Sequence, residues 1–418
     1  MIQAVRGTKD ILPNQSVYWQ YIEEKLRLCS NNFGFYELRT PIFEKTEVFS
    51  RSIGDATDIV NKEMYTFYDK GGESITLRPE GTASLVRATI QNGLVNDSPI
   101  NKLWYYGPFF RYERPQKGRM RQFHQYGAEL IGSSNPLSDV ELLMLAHHIF
   151  EIFGIKNYKL LLNTLGNDKT RNHFKVKLID FLEKNKNKLS NDSQNRLHKN
   201  PLRILDSKDP SDIELLQDAP NILDCLDDES KKHFDFVCDK LTQLGIKYHI
   251  SQNLVRGLDY YCHTVFEFQS DVLGSQDSFG GGGRYDGLFN QLGFKKEMPA
   301  VGFAIGVERL LLIMEELNLL PDIKTEPKLY IITVDSILID EVIRITKKLR
   351  NKNISTVFDL TGKSVKAQFR EANKLNVKYS LALGKDELES QNIQLKRMSD
   401  GKIFILKLND LEKFNFEE

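Results

Sequence analysis

Two aromatic-rich runs flanking a basic segment constrain this chain more than any other feature. Lys102 to Glu113 (KLWYYGPFFRYE) and Phe123 to Gly132 (FHQYGAELIG) each read as a strand, because aromatic residues suit a pleated, half-buried surface. The segment between them, Arg111 to Arg121 (RYERPQKGRMR), holds five Arg/Lys against one Glu and would cap a hairpin. Ahead of it, Ser16 to Phe33 spaces Val17, Tyr21 and Leu28 as a helix, which Asn31, Asn32 and Gly34 end. A short extended stretch leads to Thr40-Pro41, where proline biases its predecessor to β geometry. Behind the hairpin, Ser138 and Glu141 form an S-x-x-E capping box that opens a helix through His147 to about Phe153. Long hairpin strands joined by helices predict an α+β domain on an antiparallel sheet.

The texture changes near Gly166. Residues 167–250, including the polar run DFLEKNKNKLSNDSQNRLHKN from Asp180, read as an inserted helical module. Strand patterns return at Cys262 to Gln269 and Ser278 to Tyr285, the latter with four successive glycines, and at Ala300 to Gly306 before a helix carrying Arg309. Pro321 to Pro327 is a polar linker. Beyond it, strands Lys328–Asp335, Ser355–Leu360 and Tyr379–Gly384 alternate with helices Ser336–Lys352 and Ser364–Asn376. A hairpin turning at Asp400-Gly401 follows, giving a small α/β domain.

The 418 residues suggest about two or three domains. With 40% hydrophobic and 27% charged residues the chain can bury real cores, and no run approaches the ~20 apolar residues of a membrane helix. Met1 to Asp10 does not read as a signal peptide. Cys29, Cys225, Cys238 and Cys262 lie far apart with no C-x-x-C pair, which argues against disulfide or zinc frameworks and for a reducing cytoplasm. The formal net charge is zero, yet Glu341 to Lys385 carries eleven Lys/Arg against three Asp/Glu. Two such patches are what a protein touching phosphate in two places could show, but charge alone favours a solvated helix face and a charged hairpin.

Arg111, Glu113, Arg114, Arg119 and Arg121 cluster at the hairpin, and a planar guanidinium fork suits phosphate. Arg111 adjoins an aromatic strand, where an unpaired charge is costly to bury. The run Gly280 to Gly283 lacks the P-loop register; close approach of a ligand, close approach of backbone and a bulge all remain open for it. Arg256-Gly257-Leu258-Asp259-Tyr260-Tyr261 sets a cation and two phenols before a strand. Glu80, after Leu77-Arg78-Pro79, and Glu129 are candidate interior carboxylates; taken alone, each reads as half of a salt bridge to Arg78 or Arg87. The eight histidines form no H-x-x-x-H or H-E-x-x-H set, and no metal site is expected.

Together these segments resemble the histidyl-tRNA synthetase family of class II aminoacyl-tRNA synthetases over essentially the whole length. Thr40-Pro41 resembles motif 1, Phe110 to Glu113 with the loop to Phe123 resembles motif 2, and Gly302 to Leu310 (GFAIGVERL) resembles motif 3. LRPEGT from Leu77, LVRGLDYY from Leu254, GGGRYDGL from Gly281 and QFHQYGAE from Gln122 narrow the resemblance to histidine.

The resemblance implies a catalytic domain at 1–322, with the 167–250 helical insertion, and an α/β anticodon-binding domain at 327–418. It implies ATP-dependent activation of L-histidine to its adenylate and transfer to the 3′ end of tRNA(His). Arg111, Arg256 and Arg309 are then the catalytic residues. Glu80, Gly81, Thr82, Gln125, Glu129, Tyr260, Tyr261 and Tyr285 bind histidine together with Arg111 and Arg256. Glu113, Arg121 and Phe123 bind ATP with Arg111 and Arg309, and Arg114 and Gln116 approach the tRNA acceptor end. ATP arrives with Mg²⁺, and a cytoplasmic homodimer with no membrane partner is expected. A noncatalytic relative that regulates ATP phosphoribosyltransferase is the alternative. It lacks the C-terminal domain and several motif residues, whereas Arg111, Arg256, Arg309 and the tail are all present here. Synthetases of threonine or proline type share a similar C-terminal domain and lack the RGLDYY segment.

Overall fold

The hairpin lies on one side of the large sheet, next to an edge strand. In a computed structural model, which describes residues 2–54, 57 and 59–416, strand Asn101–Phe110 pairs antiparallel with Gln122–Ile131 along its whole length. Sheet order continues through Ala300–Gly306, Ser278–Arg284, Cys262–Gln269 and Lys159–Thr164, every pairing antiparallel. The two-residue strands Tyr36–Glu37 and His249–Ile250 add in parallel at the two edges. A separate antiparallel sheet orders Phe43–Lys45, Ser74–Leu77 and Tyr65–Tyr68.

Period-two alternation decides what each face of the large sheet does. Tyr126, Ala128, Leu130, Phe266, Phe268, Val301, Phe303 and Ile305 point to one side. There they are buried against helices Pro13–Asn32, Leu137–Ile152, Asp228–Gln243 and Val307–Glu316. Each such apolar side chain contributes about 1.5–3 kcal/mol on burial. The intervening residues, among them Gln125, Glu129, Glu267, Gly302 and Ala304, are left for the opposite face. At the ends of that face a second core gathers Leu103, Tyr105 and Phe109 with Leu85 and Val86 of helix Thr82–Gln91 and Phe174, Leu178 and Leu182 of helix Asp168–Lys184.

The chain divides into two compact units, Met1–Pro321 and Asp322–Glu418. In the second, strand order is Thr356–Phe358, Leu329–Thr333, Tyr379–Leu383, Asn392–Arg397, Ile403–Lys407, the first two pairings parallel and the last two antiparallel. Helix Ile339–Asn351 buries Val342, Ile345 and Leu349 against Leu329, Ile331 and Leu381. Among the described residues no helix is long and apolar enough to cross a membrane.

Three local expectations change. Helix Leu137–Ile152 begins before Ser138, so no capping box forms. Asn135 Oδ1 instead accepts from the Leu137 N–H at 2.9 Å, and Glu141 is drawn to Lys102 Nζ at 2.6 Å. The helical stretch 167–250 does not stand apart throughout, because Asp228–Gln243 inserts Phe234, Val237 and Leu241 into the main core and His249–Ile250 joins the sheet. A short helix, Lys385–Ser390, precedes the C-terminal hairpin.

One buried ion pair ties the sheet to the helix behind it. Arg284, at the end of its strand, donates to the Asp139 carboxylate on helix Leu137–Ile152, and to the Ser133 carbonyl at 2.8 Å. Burial alone would raise the Asp139 pKa, but Arg284 and His233 outweigh it and bring it down to about 2. Its stabilising contribution is therefore complete above the ordinary carboxylate range and is lost as pH falls through about 2. Removing Asp139 leaves the buried Arg284 with Asp286, 3.3 Å away, so D139A is expected to lose about 3 kcal/mol, the low end for a broken buried pair, read as a lower urea midpoint. A variant within about 0.5 kcal/mol of the parent would contradict the pair's role.

Candidate active site

The face of the large sheet away from the main core opens into a cavity of about 730 Å³. Its floor is built from strand residues on that face, Gln125, Glu267, Gly281, Gly302 and Ala304; its walls come from the hairpin, the 251–261 loop and the start of helix Thr82–Gln91. Two glycines carry a steric requirement. Gly302 lies directly across the ladder from Glu129, and a Cβ there would overlap the Glu129 carboxylate. Gly281 lies across from Glu267, and a Cβ there would stand 2.9 Å from the Arg256 guanidinium. Both close side-chain and close backbone approaches thus explain the glycine run, which also carries register irregularities near its ends.

Neither interior carboxylate pairs with an arginine, contrary to the salt-bridge reading. Arg78 is occupied by the Pro108 carbonyl and by Thr40, and Arg87 by Glu44. Glu80 accepts from the backbone N–H groups of Thr82 and Ala83 at 2.8 and 2.7 Å, capping the first turn of helix Thr82–Gln91. Glu129 accepts from Thr82 Oγ1 and from the Tyr285 hydroxyl, both at 2.7 Å. Burial raises the Glu80 pKa despite those bonds. Burial, assisted by Glu80, pushes Glu129 up to about 8 against its two hydroxyl donors. The phenols of Tyr260 and Tyr261 pack ring to ring at 4.7 Å, with Tyr285 5.8 Å from Tyr260. Burial likewise raises Tyr261, up to about 12, so these hydroxyls are neutral donors.

The same cavity wall also carries guanidinium groups. Arg111 Nε donates to the Pro79 carbonyl at 2.8 Å, and its guanidinium lies 5.3 Å from the Phe123 ring centre. Arg309 Nε donates to the Gly118 carbonyl at 3.0 Å, and a second nitrogen reaches the Ser278 carbonyl. Burial, then the nearby Arg119, lowers the Arg309 pKa. Glu113 stands 3.8 Å from Arg111 and 3.4 Å from Arg119. Gln125 Oε1 and Arg256 Nε are buried and make no hydrogen bond, whereas Glu113 Oε2 keeps its ion pair to Arg119. Unpaired buried polar atoms lining a cavity are what a polar ligand would complete. Among the described residues, no group of three or more His, Cys, Asp or Glu side chains converges as a metal set.

The structure brings Glu80, Thr82, Arg111, Glu113, Phe123, Gln125, Arg256, Tyr260, Tyr261, Tyr285 and Arg309 to one cavity. Glu129 lies beneath it, behind Tyr285, Thr82 and Gly302. Gly81 is not on the wall; a Cβ there would strike the Tyr105 ring. Arg121 also turns away, its guanidinium 4.0 Å from the Tyr112 ring centre and its N–H bonded to the Gly7 carbonyl at 2.7 Å. Arg114 and Gln116 are exposed near the hairpin tip, where Gln116 bridges Arg119. Further wall residues that escaped the sequence reading include Glu267, Glu308, Arg203, Asp206 and Lys208. Glu267 had a signal, a charge inside the apolar run TVFEF, and Glu308 neighbours Arg309; Arg203 and Asp206 come from 3₁₀ helix Pro201–Asp206 and had none.

The raised Glu129 pKa has a consequence for stability. Between the ordinary glutamate range and about 8, the unfolded chain has released this proton while the folded chain still holds it, so stability falls as pH rises through that window. E129Q, which cannot ionise, is expected to lose less of its urea midpoint than the parent between about pH 5 and about pH 8. Parallel losses would show that Glu129 folds ionised.

With this geometry established, the relatives are informative. The family described as histidyl-tRNA synthetase matches residues 7–310, and an anticodon binding domain matches residues 328–416. The histidine–tRNA ligase of Cyanothece sp. is 46% identical over 410 residues, spanning 98% of this chain and 95% of its own. That of Ligilactobacillus salivarius is 46% identical over 417 residues, 98% and 96% of the two chains. The crystal structure of apo S. aureus histidyl-tRNA synthetase superposes with a TM-score of 0.85 at 38% identity, covering 99% of both chains. This chain belongs to the histidyl-tRNA synthetase family.

Proposed function

We propose that this cavity is where the chain, as a histidine–tRNA ligase, activates L-histidine with ATP and passes it to the 3′ end of tRNA(His). The observation that carries the site assignment is one continuous cavity whose wall carries Glu80 and the phenols of Tyr260, Tyr261 and Tyr285 together with Arg111, Arg256 and Arg309. The histidine carboxylate attacks the α-phosphorus, forming an O–P bond as the bond to the bridging oxygen of pyrophosphate breaks. A terminal ribose hydroxyl then attacks the activated carbonyl and AMP leaves. The attacking carboxylate is ionised at neutral pH, so positioning and charge stabilisation do the work.

In this reading Arg111 and Arg256 hold the carboxylate and α-phosphate, Arg309 contacts the nucleotide, and Phe123 and Glu113 take the adenine ring and its amino group. Mg²⁺ enters with ATP. Tyr285, Tyr261, Gln125 and the Glu80–Thr82–Glu129 network recognise the imidazole and the amino group. Residues 1–322 form the catalytic domain, and 327–418 bind the anticodon arm. Arg114 and Gln116 meet the acceptor end at the exposed hairpin tip. The regulatory alternative loses ground because relatives matching nearly the whole chain are histidine–tRNA ligases. A cytoplasmic homodimer is part of the same reading, supported by exposed Tyr36, Ile42, Phe43, Phe67 and Tyr68 along the edge strand and the small sheet.

E129A is expected to abolish histidine-dependent pyrophosphate exchange while ATP binding, followed by nucleotide titration, stays within about threefold, because a site with unpaired buried groups rejects its ligand. Full exchange by E129A would refute the role. Charging of tRNA with labelled histidine tests the second step. If roughly four phosphates are neutralised, affinity for tRNA should fall on the order of a hundredfold between about 50 and about 200 mM salt. A salt-independent affinity would contradict the phosphate contacts.

A further inference from the structure

Arg256 belongs to the 251–261 loop, most of which has no regular secondary structure, so nothing in its own backbone fixes where the guanidinium points. The fixing comes from the sheet. Glu267 stands on strand Cys262–Gln269, on the cavity face, and accepts from Arg256 Nη1 through Oε2 at 2.5 Å. Its other oxygen, Oε1, accepts from Gln269 Nε2 at 2.9 Å, so both carboxylate oxygens are engaged within the protein. Directly across the ladder is Gly281, whose missing side chain gives the guanidinium its seat. A rigid strand thus supplies a carboxylate, a second side chain that orients it, and a gap opposite. Arg256 Nε, meanwhile, remains buried without a hydrogen bond.

We infer that Glu267 is a positioning residue for the reaction: it aims the Arg256 guanidinium at the reacting carboxylate and phosphate, and Gln269 holds Glu267 for that purpose. The inference rests on the role given to Arg256 above. A guanidinium at the end of a long, flexible side chain samples many orientations unless it is anchored, whereas an ångström of misplacement at a reacting centre costs on the order of a hundredfold in rate. Anchoring by a charge-assisted bond to a strand removes that freedom. Both Glu267 oxygens are taken by Arg256 and Gln269, so in this inference its effect passes through Arg256.

A double-mutant cycle reads this directly. In histidine-dependent pyrophosphate exchange, E267Q keeps the side-chain shape but loses the charge. Its kcat is expected to fall on the order of tenfold, with the KM for ATP within about twofold of the parent. In the R256A background the same substitution should change kcat by less than about twofold. Equal losses in both backgrounds would show an effect independent of Arg256 and overturn the inference, as would an unchanged kcat in E267Q. R256A at the parental rate would instead remove the role of Arg256, which separates the two failures. If E267Q does not fold, Q269L carried through the same cycle gives the same readout, with a smaller loss expected only when Arg256 is present.

Discussion

The site depends on a carboxylate set opposite a glycine, twice, in the middle of an antiparallel sheet. Glu129 faces Gly302 and Glu267 faces Gly281 across two ladders of the sheet, with one ladder between them. A sheet interior gives a carboxylate neither water nor room, and burial of an unpaired charge is among the costliest things a fold can do. The glycines supply the room. Different partners then divide the two carboxylates into different chemistries: Glu267 takes a guanidinium, while Glu129 takes only hydroxyl donors and is pushed towards its neutral form.

This division explains the layout of the cavity. The cation held by Glu267 joins Arg111 and Arg309 on the cavity wall, where a phosphate can be met by charges that never titrate. Glu129, its carboxyl pushed up to about 8, joins Glu80 and the three phenols in a hydrogen-bonding set suited to a ring with two nitrogens. Packing on the far face makes such an arrangement tolerable, because Tyr126, Phe266, Phe268, Phe303 and their helices lock the strands that carry the polar side chains. Buried polar groups are affordable in a sheet whose other face is fully apolar and whose register cannot slip without exposing that face.

Much of this was legible in the residues. The alternation of Tyr126, Ala128 and Leu130 with Gln125, Gly127 and Glu129 marks one face for core and the other for chemistry. The aromatic hairpin, the helix after Gly306 and the C-terminal α/β alternation follow from period alone. What stayed hidden is what depends on contacts distant in sequence. Nothing near Glu80 or Glu129 says that Arg78 and Arg87 are spent elsewhere, on Thr40 and Glu44. Nothing near Arg121 says that it stacks on Tyr112 instead of facing the cavity. Ser138 reads as a cap, yet Lys102 on a strand draws Glu141 away, and Asn135 takes the cap's place. The 201–208 stretch, PLRILDSK, gives no sign of a site, yet it reaches the cavity through Arg203, Asp206 and Lys208.

The most direct test of the account is exchange of labelled pyrophosphate into ATP by the unaltered chain, run with histidine and with each other proteinogenic amino acid in turn. The account predicts exchange with histidine alone, because only an imidazole satisfies this hydrogen-bonding set while its carboxylate reaches the arginines. Exchange of comparable rate with another amino acid, or none by well-folded protein, would contradict it.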